Sequence, residues 1–116
     1  MGITYISGTV TGPKGQRTLE FLVDSGATYS LLPLDDWQAI GLSAKRSVRF
    51  SLADGSKVER QVTECHIALD IGDGYSPVIL GEPGNEALLG VVTLENLGLV
   101  FNPFNRTLHP MRLLLV

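Results

Sequence analysis

The chain has 116 residues, of which 44% are apolar and 18% charged, and its formal net charge is -3. That length suits one compact domain spanning residues 1–116 and is too short for two, and the lack of any acidic or basic run argues against disorder and against a general nucleic-acid-binding surface. A domain of this size buries only about two-thirds of its unfolded surface, so a composition this rich in Leu, Val and Ile implies that another chain covers some of it.

Short strands separated by glycine-rich turns dominate the reading, the pattern of a small β-barrel or sandwich. Ile3 to Val10 and Thr18 to Val23 flank Thr11-Gly12-Pro13-Lys14-Gly15 and predict a hairpin. Pro33, the acids Asp35 and Asp36, and Gly41 bracket a short helix over Leu34 to Ile40. Val48, Phe50 and Leu52 alternate with polar residues up to Asp54-Gly55, a strong hairpin signal. The chain returns through Val58 to Thr63, and Ile67, Leu69 and Ile71 alternate again before a turn expected at Gly72-Asp73-Gly74. A second helix of about two turns fits Val91 to Leu97, closed by Gly98. Leu99-Val100-Phe101 then runs into a turn at Asn102 to Asn105. The last segment, Met111 to Val116, reads either as a strand in the chain's own core or as one paired with a second subunit.

A single Cys65 forms no internal disulfide, and with His66 and the distant His109 it makes a poor metal-ligand set, so neither metal nor cofactor is expected. The start, Met1-Gly2-Ile3-Thr4-Tyr5-Ile6, carries no basic region followed by an apolar run and no myristoylation pattern. No stretch reaches the ~18–20 apolar residues of a membrane span. These observations point to the cytoplasm and to no membrane partner.

The chemistry concentrates in Phe21-Leu22-Val23-Asp24-Ser25-Gly26-Ala27-Thr28. An acid directly after a hydrophobic strand, followed by a small hydroxyl residue and glycine, suits a sharp functional loop better than a core strand. The preceding apolar run draws the carboxylate toward the interior, where ionisation is costly. An ordinary strand-ending turn would share the Asp-Ser-Gly pattern.

Leu22-Val23-Asp24-Ser25-Gly26-Ala27, answered about 60 residues later by Ala87-Leu88-Leu89-Gly90 and a short helix, resembles the retropepsin-type aspartic proteases, and the Leu94 to Val100 continuation looks most like their cellular microbial branch. The resemblance runs over nearly the whole chain. It implies an all-β fold, a small closed barrel of the single-lobe acid-protease type with one or two short helices. It also implies peptide or protein substrates, and catalysis by two carboxylates that share one proton. Only one Asp-Ser-Gly is present, and the acids at Asp54 and Asp73 are expected in hairpin tips, so the second catalytic group would be Asp24 of another subunit in a two-fold homodimer.

By the same resemblance, Ser25 would hydrogen-bond across the two-fold axis, Gly26 would let the backbone approach the carboxylates, and Ala27 and Thr28 would line the cleft. Ala53, Asp54, Gly55 and Ser56 would form the tip of a flap closing over an extended substrate. Leu88 and Leu89 would pack beneath the catalytic loop. Retroviral relatives carry an acid shortly after the catalytic glycine and a base after the later one; Thr28 and Val91 stand in those places here. Losing both leaves no buried unpaired charge, and dimer support would come from apolar contacts such as those of Leu113 to Val116. The resulting expectation is an aspartic endopeptidase working in an acid-to-neutral window. The alternative is a catalytically weak or inactive dimer of the same fold that binds peptides or proteins.

Overall fold

A computed structural model describes residues 3–115. Its strands are β1 (Tyr5–Gly12), β2 (Gly15–Val23), β3 (Ser30–Leu32), β4 (Arg46–Ser51), β5 (Lys57–Leu69), β6 (Gly72–Leu80), β7 (Leu88–Leu89), β8 (Leu99–Asn102) and β9 (Thr107–Pro110). Two short helices, α1 (Leu34–Ala39) and α2 (Val91–Asn96), complete it. Strands are hydrogen-bonded in the order β1-β2-β7-β3-β6-β5-β4, and a further pairing of β1 with β5, through Val10 opposite Ile67, closes the first six into a barrel. The expected small all-β barrel with two short helices is therefore what forms. β4 lies outside the closed ring, paired only with β5.

Closure follows from the apolar alternation. Val10, Phe21, Leu32, Ile67, Val78 and Leu89 turn inward from six strands and are each 0% exposed, and Ile40, Leu94 and Leu99 seal the ends. Burying side chains of this kind contributes about 1.5–3 kcal/mol apiece. Helix α1 stops where expected, with Gly41 at φ +78 just past it, and it is pinned by Trp37 Nε1 donating to the Gly81 carbonyl at 2.9 Å.

β5 serves two purposes. Its first half pairs with β4 and its second with β6 and β1. The buried face changes between them: Val62 and Thr63 are consecutive buried residues, after which Cys65, Ile67 and Leu69 face the core. Even-numbered residues in the first half therefore lie on a different face from the core-facing positions of the second.

The structure corrects two readings. The turn expected at Gly72-Asp73-Gly74 lies two residues earlier, at Asp70-Ile71, because Leu69 pairs with Gly72. The two glycines are strand residues over which the end of α2 passes; a Cβ at Gly74 would come within 3.0 Å of Leu97 Cδ2. Asp73 is thus in a strand, 2.7 Å from His66 Nε2, and not at a hairpin tip. At the other end the last strand is Thr107–Pro110, and Met111 to Leu115 are in no strand. Among the described residues of this segment, Met111 alone makes a backbone hydrogen bond to the rest of the chain, its amide donating to the Gly98 carbonyl. Leu113, Leu114 and Leu115 are 71%, 74% and 102% exposed, which removes the reading of this segment as a core strand. Val116 lies outside the described residues. No helix among the described residues is long and apolar enough to cross a membrane.

Candidate active site

Asp24 follows the last residue of β2, and its position is set by a strand insertion. β7 enters between β2 and β3, parallel to the first (Val23 opposite Leu89) and antiparallel to the second (Leu31 opposite Leu88). The Asp24 amide continues this ladder by donating to the Leu89 carbonyl at 3.1 Å. The loop then turns sharply, with the Ala27 amide donating to the Asp24 carbonyl at 3.0 Å. The Gly26 amide donates to Asp24 Oδ1 at 2.9 Å, which holds the carboxylate in one orientation. Asp24 is half-buried, and its Oδ2 has no hydrogen-bond partner among the described residues.

The later motif clamps this loop from behind. Val91 and Val92 amides donate to the carbonyls of Ala27 and Thr28, each at 3.0 Å. Gly90 is needed for that approach: a Cβ there would stand 2.6 Å from the Tyr29 carbonyl carbon and 2.9 Å from the Thr28 oxygen. Backbone bonds thus join Ala27 and Thr28 to Val91 and Val92 where the retroviral pattern has a charged pair. Behind them the hydroxyls of Ser30, Thr93 and Ser76, all nearly fully buried, form a chain of hydrogen bonds (Ser30–Thr93 2.5 Å, Ser76–Thr93 2.8 Å) linking β3, α2 and β6. Sequence reading missed this trio because three hydroxyl residues so far apart carry no local signal.

Two concavities adjoin the Asp24 loop, and Asp24 itself lines neither. One is a groove of about 280 Å³ lined by Gly26, Ala27, Thr28 and Tyr29 of the loop and by Phe50, Ser51, Leu52, Val58 and Arg60 of the β4–β5 hairpin, with Leu31, Ile79, Asn85 and Leu88 behind. Tyr29 and Phe50 join loop to hairpin by an edge-on ring contact, centroids 5.6 Å apart. The other is an apolar hollow of about 330 Å³ lined by Val23, Ser25, Val91, Leu94, Leu99, Phe101 and Met111, among others.

Of the expected site residues, Gly26, Ala27 and Thr28 lie in the groove and the exposed Ser25 borders the hollow. Ala53, Asp54, Gly55 and Ser56 form the exposed hairpin tip, outside the groove lining of this chain. The tip is a tight turn, with the Leu52 amide bonded to the Ser56 carbonyl and the Ser56 amide and hydroxyl both donating to Asp54 Oδ1 at 2.9 and 2.6 Å. Those two bonds hold the Asp54 carboxyl below its ordinary value. Leu89 is fully buried beneath the loop, whereas Leu88 lines the groove. Sequence reading did not anticipate Tyr29, Phe50, Val58, Arg60, Ile79 or Asn85 in the groove; the alternation around Val48 to Leu52 was the available clue. Among the described residues no group of three or more His, Cys, Asp or Glu is placed to hold a metal ion.

Comparison with known proteins agrees with this geometry. No curated protein matches the chain. The model of the aspartyl protease family matches residues 6–103, from the first strand through the Asp24 loop, the hairpin and α2 to the β8 turn. With Asp24 at the end of β2 and Leu88-Leu89-Gly90 locked beneath its loop, the chain belongs to the aspartyl protease family, in its retropepsin-like form.

Proposed function

We propose that the chain is one half of a homodimeric aspartic endopeptidase in which Asp24 of each protomer supplies one carboxylate of a catalytic pair. The observation that carries this reading is the placement of Asp24: backbone locked to Leu89, one carboxylate oxygen held by the Gly26 amide, the other without a partner among the described residues, and a groove lined by the residues that follow it in the loop. A single carboxylate cannot serve as both base and acid in one step. A two-fold axis beside Asp24 supplies the other.

In this mechanism the ionised carboxylate takes a proton from a bridging water as the water oxygen adds to the scissile carbonyl carbon. The protonated carboxyl of the other protomer gives its proton to the carbonyl oxygen, so that a neutral gem-diol forms and this carboxyl becomes ionised. The tetrahedral diol then breaks its C–N bond while the carboxyl that took the water proton delivers it to the leaving nitrogen and the ionised carboxylate takes a proton from a diol hydroxyl, restoring the pair. Ser25 tethers the two loops across the axis, and the hairpin tip at Ala53, Asp54, Gly55 and Ser56 closes over the peptide and excludes water. The apolar hollow beside Ser25 and the exposed Leu113, Leu114 and Leu115 form the contact between protomers.

Incubation with a mixed peptide library across pH, with and without a statine-type transition-state mimic, tests the reading. Cleavage inhibited by the mimic and abolished in Asp24→Ala, by at least about a thousandfold, is the expected result. Peptides bound but never cut would replace the enzyme with a binding module of the same fold.

A further inference from the structure

The groove beside Asp24 is mainly apolar, walled by Leu31, Phe50, Leu52, Val58, Ile79 and Leu88, and one charged side chain lines it, Arg60. Arg60 reaches the groove because it precedes the change of buried face in β5, so it shares the groove-side face of the strand with Val58. Its guanidinium is lightly committed. Nη1 donates to the Glu59 carbonyl at 2.9 Å, and Nη2 lies 3.5 Å from Glu82 Oε1. That pair is a weak competitor, since the Glu82 side chain is 61% exposed and surface pairs contribute little. A guanidinium has five N–H donors in a planar fork, and most of them remain available.

The other polar side chains around the groove point to the same kind of ligand. Tyr29 Oη accepts a bond from Arg46 Nη2 at 3.3 Å, which leaves its own proton to donate. Ser51 Oγ likewise accepts from Lys57 Nζ at 2.9 Å. Asn85 Oδ1 accepts from the Glu82 amide at 2.8 Å, and its Nδ2 has no partner among the described residues. Among the described residues no carboxylate lines the groove. Four polar groups thus stand as donors along an apolar cleft, and a planar fork among them matches a carboxylate in geometry and charge.

We propose that Arg60 is a specificity-determining residue that selects peptides carrying an acidic side chain among apolar neighbours, with Tyr29, Ser51 and Asn85 supplying further donors. This rests on the groove being the substrate cleft of the proposed endopeptidase. In a two-fold dimer each protomer contributes one such groove, so the preference appears on both sides of the scissile bond.

The test uses a peptide series that is identical except for Glu, Gln, Leu or Lys at each position flanking the cleaved bond. Turnover is measured as kcat/KM with the wild-type protein, and binding by fluorescence anisotropy with Asp24→Asn, which needs no cleavage. Glu is expected to be favoured over Gln and Leu by about tenfold at a matched position. Arg60→Gln should erase that ratio, and Glu82→Gln should enlarge it by removing the competing carboxylate, a gain that a misfolded protein does not show. Glu-containing peptides that bind no better than the Leu series, or fail to bind, overturn the proposal, as does a Glu preference that survives in Arg60→Gln. Arg60-dependent binding without cleavage would uphold the selection and remove the endopeptidase reading; cleavage without acidic preference would do the reverse.

Discussion

The backbone amide of Gly90 donates to Oγ of Ser30 at 2.9 Å across 60 residues of chain, and Ser30 in turn bonds Thr93 at 2.5 Å. This buried contact ties the start of β3, where the Asp24 loop ends, to the start of α2, so the pose of Asp24 depends on a fully buried side chain. Ser30→Ala strands the Gly90 amide away from water, at a cost of about 1–3 kcal/mol. Thermal unfolding followed by circular dichroism should show a midpoint lowered by about 5 °C or more. Gly90→Ala should be worse still, because the new Cβ would meet the backbone of Tyr29, which cannot swing aside as a side chain does. An unchanged midpoint in Ser30→Ala would contradict the role given to the hydroxyl chain.

The exposed leucines make the proposed dimer testable. Leu113, Leu114 and Leu115 present apolar side chains to solvent in the single chain. Each leucine buried between protomers contributes about 1.5–3 kcal/mol. Replacing any one by Ser is therefore expected to weaken association by about tenfold or more, read by sedimentation velocity over a dilution series. Peptidase activity should fall in parallel with the dimer fraction. Association unaffected by all three changes would place the interface elsewhere.

At the hairpin tip the Ser56 hydroxyl, first, and its amide, second, hold the Asp54 carboxyl below the ordinary value of 3.8. A carboxyl lowered on folding adds stability that is complete above the unfolded value and is lost as pH falls through the folded one. The tip is accordingly expected to keep its shape throughout the acid-to-neutral range and to loosen only below about pH 4. Ser56→Ala removes the larger of the two bonds, and an NMR titration should find the Asp54 carboxyl moved back up toward 3.8. No upward movement would show that the hydroxyl does not hold it.

Cys65 is 2% exposed, and burial pushes its thiol up from 9.0 to about 12. The neutral thiol is therefore the form present in the folded protein near neutrality, and thiolate chemistry is closed to it. Iodoacetamide at pH 8 should label the chain slowly in buffer and rapidly in denaturing urea, with mass spectrometry as the readout. A group raised on folding contributes stability that is present below its unfolded value and lost as pH climbs through the folded one. Stability should hence decline above about pH 9, and a Cys65→Ala variant should decline less steeply.

Local chemistry made much of the fold legible. Pro33, two acids and Gly41 bracket α1, Asp54-Gly55 makes the hairpin tip, and Leu22-Val23-Asp24-Ser25-Gly26-Ala27 with Leu88-Leu89-Gly90 marks the family, because each depends on backbone angles and polarity within a few residues. Signals of that range fail where a distant partner decides the outcome. Gly72 and Gly74 look like turn residues, yet Leu97 crosses them and keeps them in a strand. Met111 to Leu115 have the composition of a core strand, yet β9 ends before them.

The sequence by itself therefore determined the family, the all-β architecture and the position of the acid within its loop. That information lies in contiguous residues. Only the tertiary structure decided what surrounds Asp24: the insertion of β7 between β2 and β3, the buried Ser30–Thr93–Ser76 hydroxyls, and the face of β5 that carries Arg60 into the groove. Strand pairing and facing are set by packing between residues far apart in the chain, and a change of face in one strand reassigns every side chain beyond it.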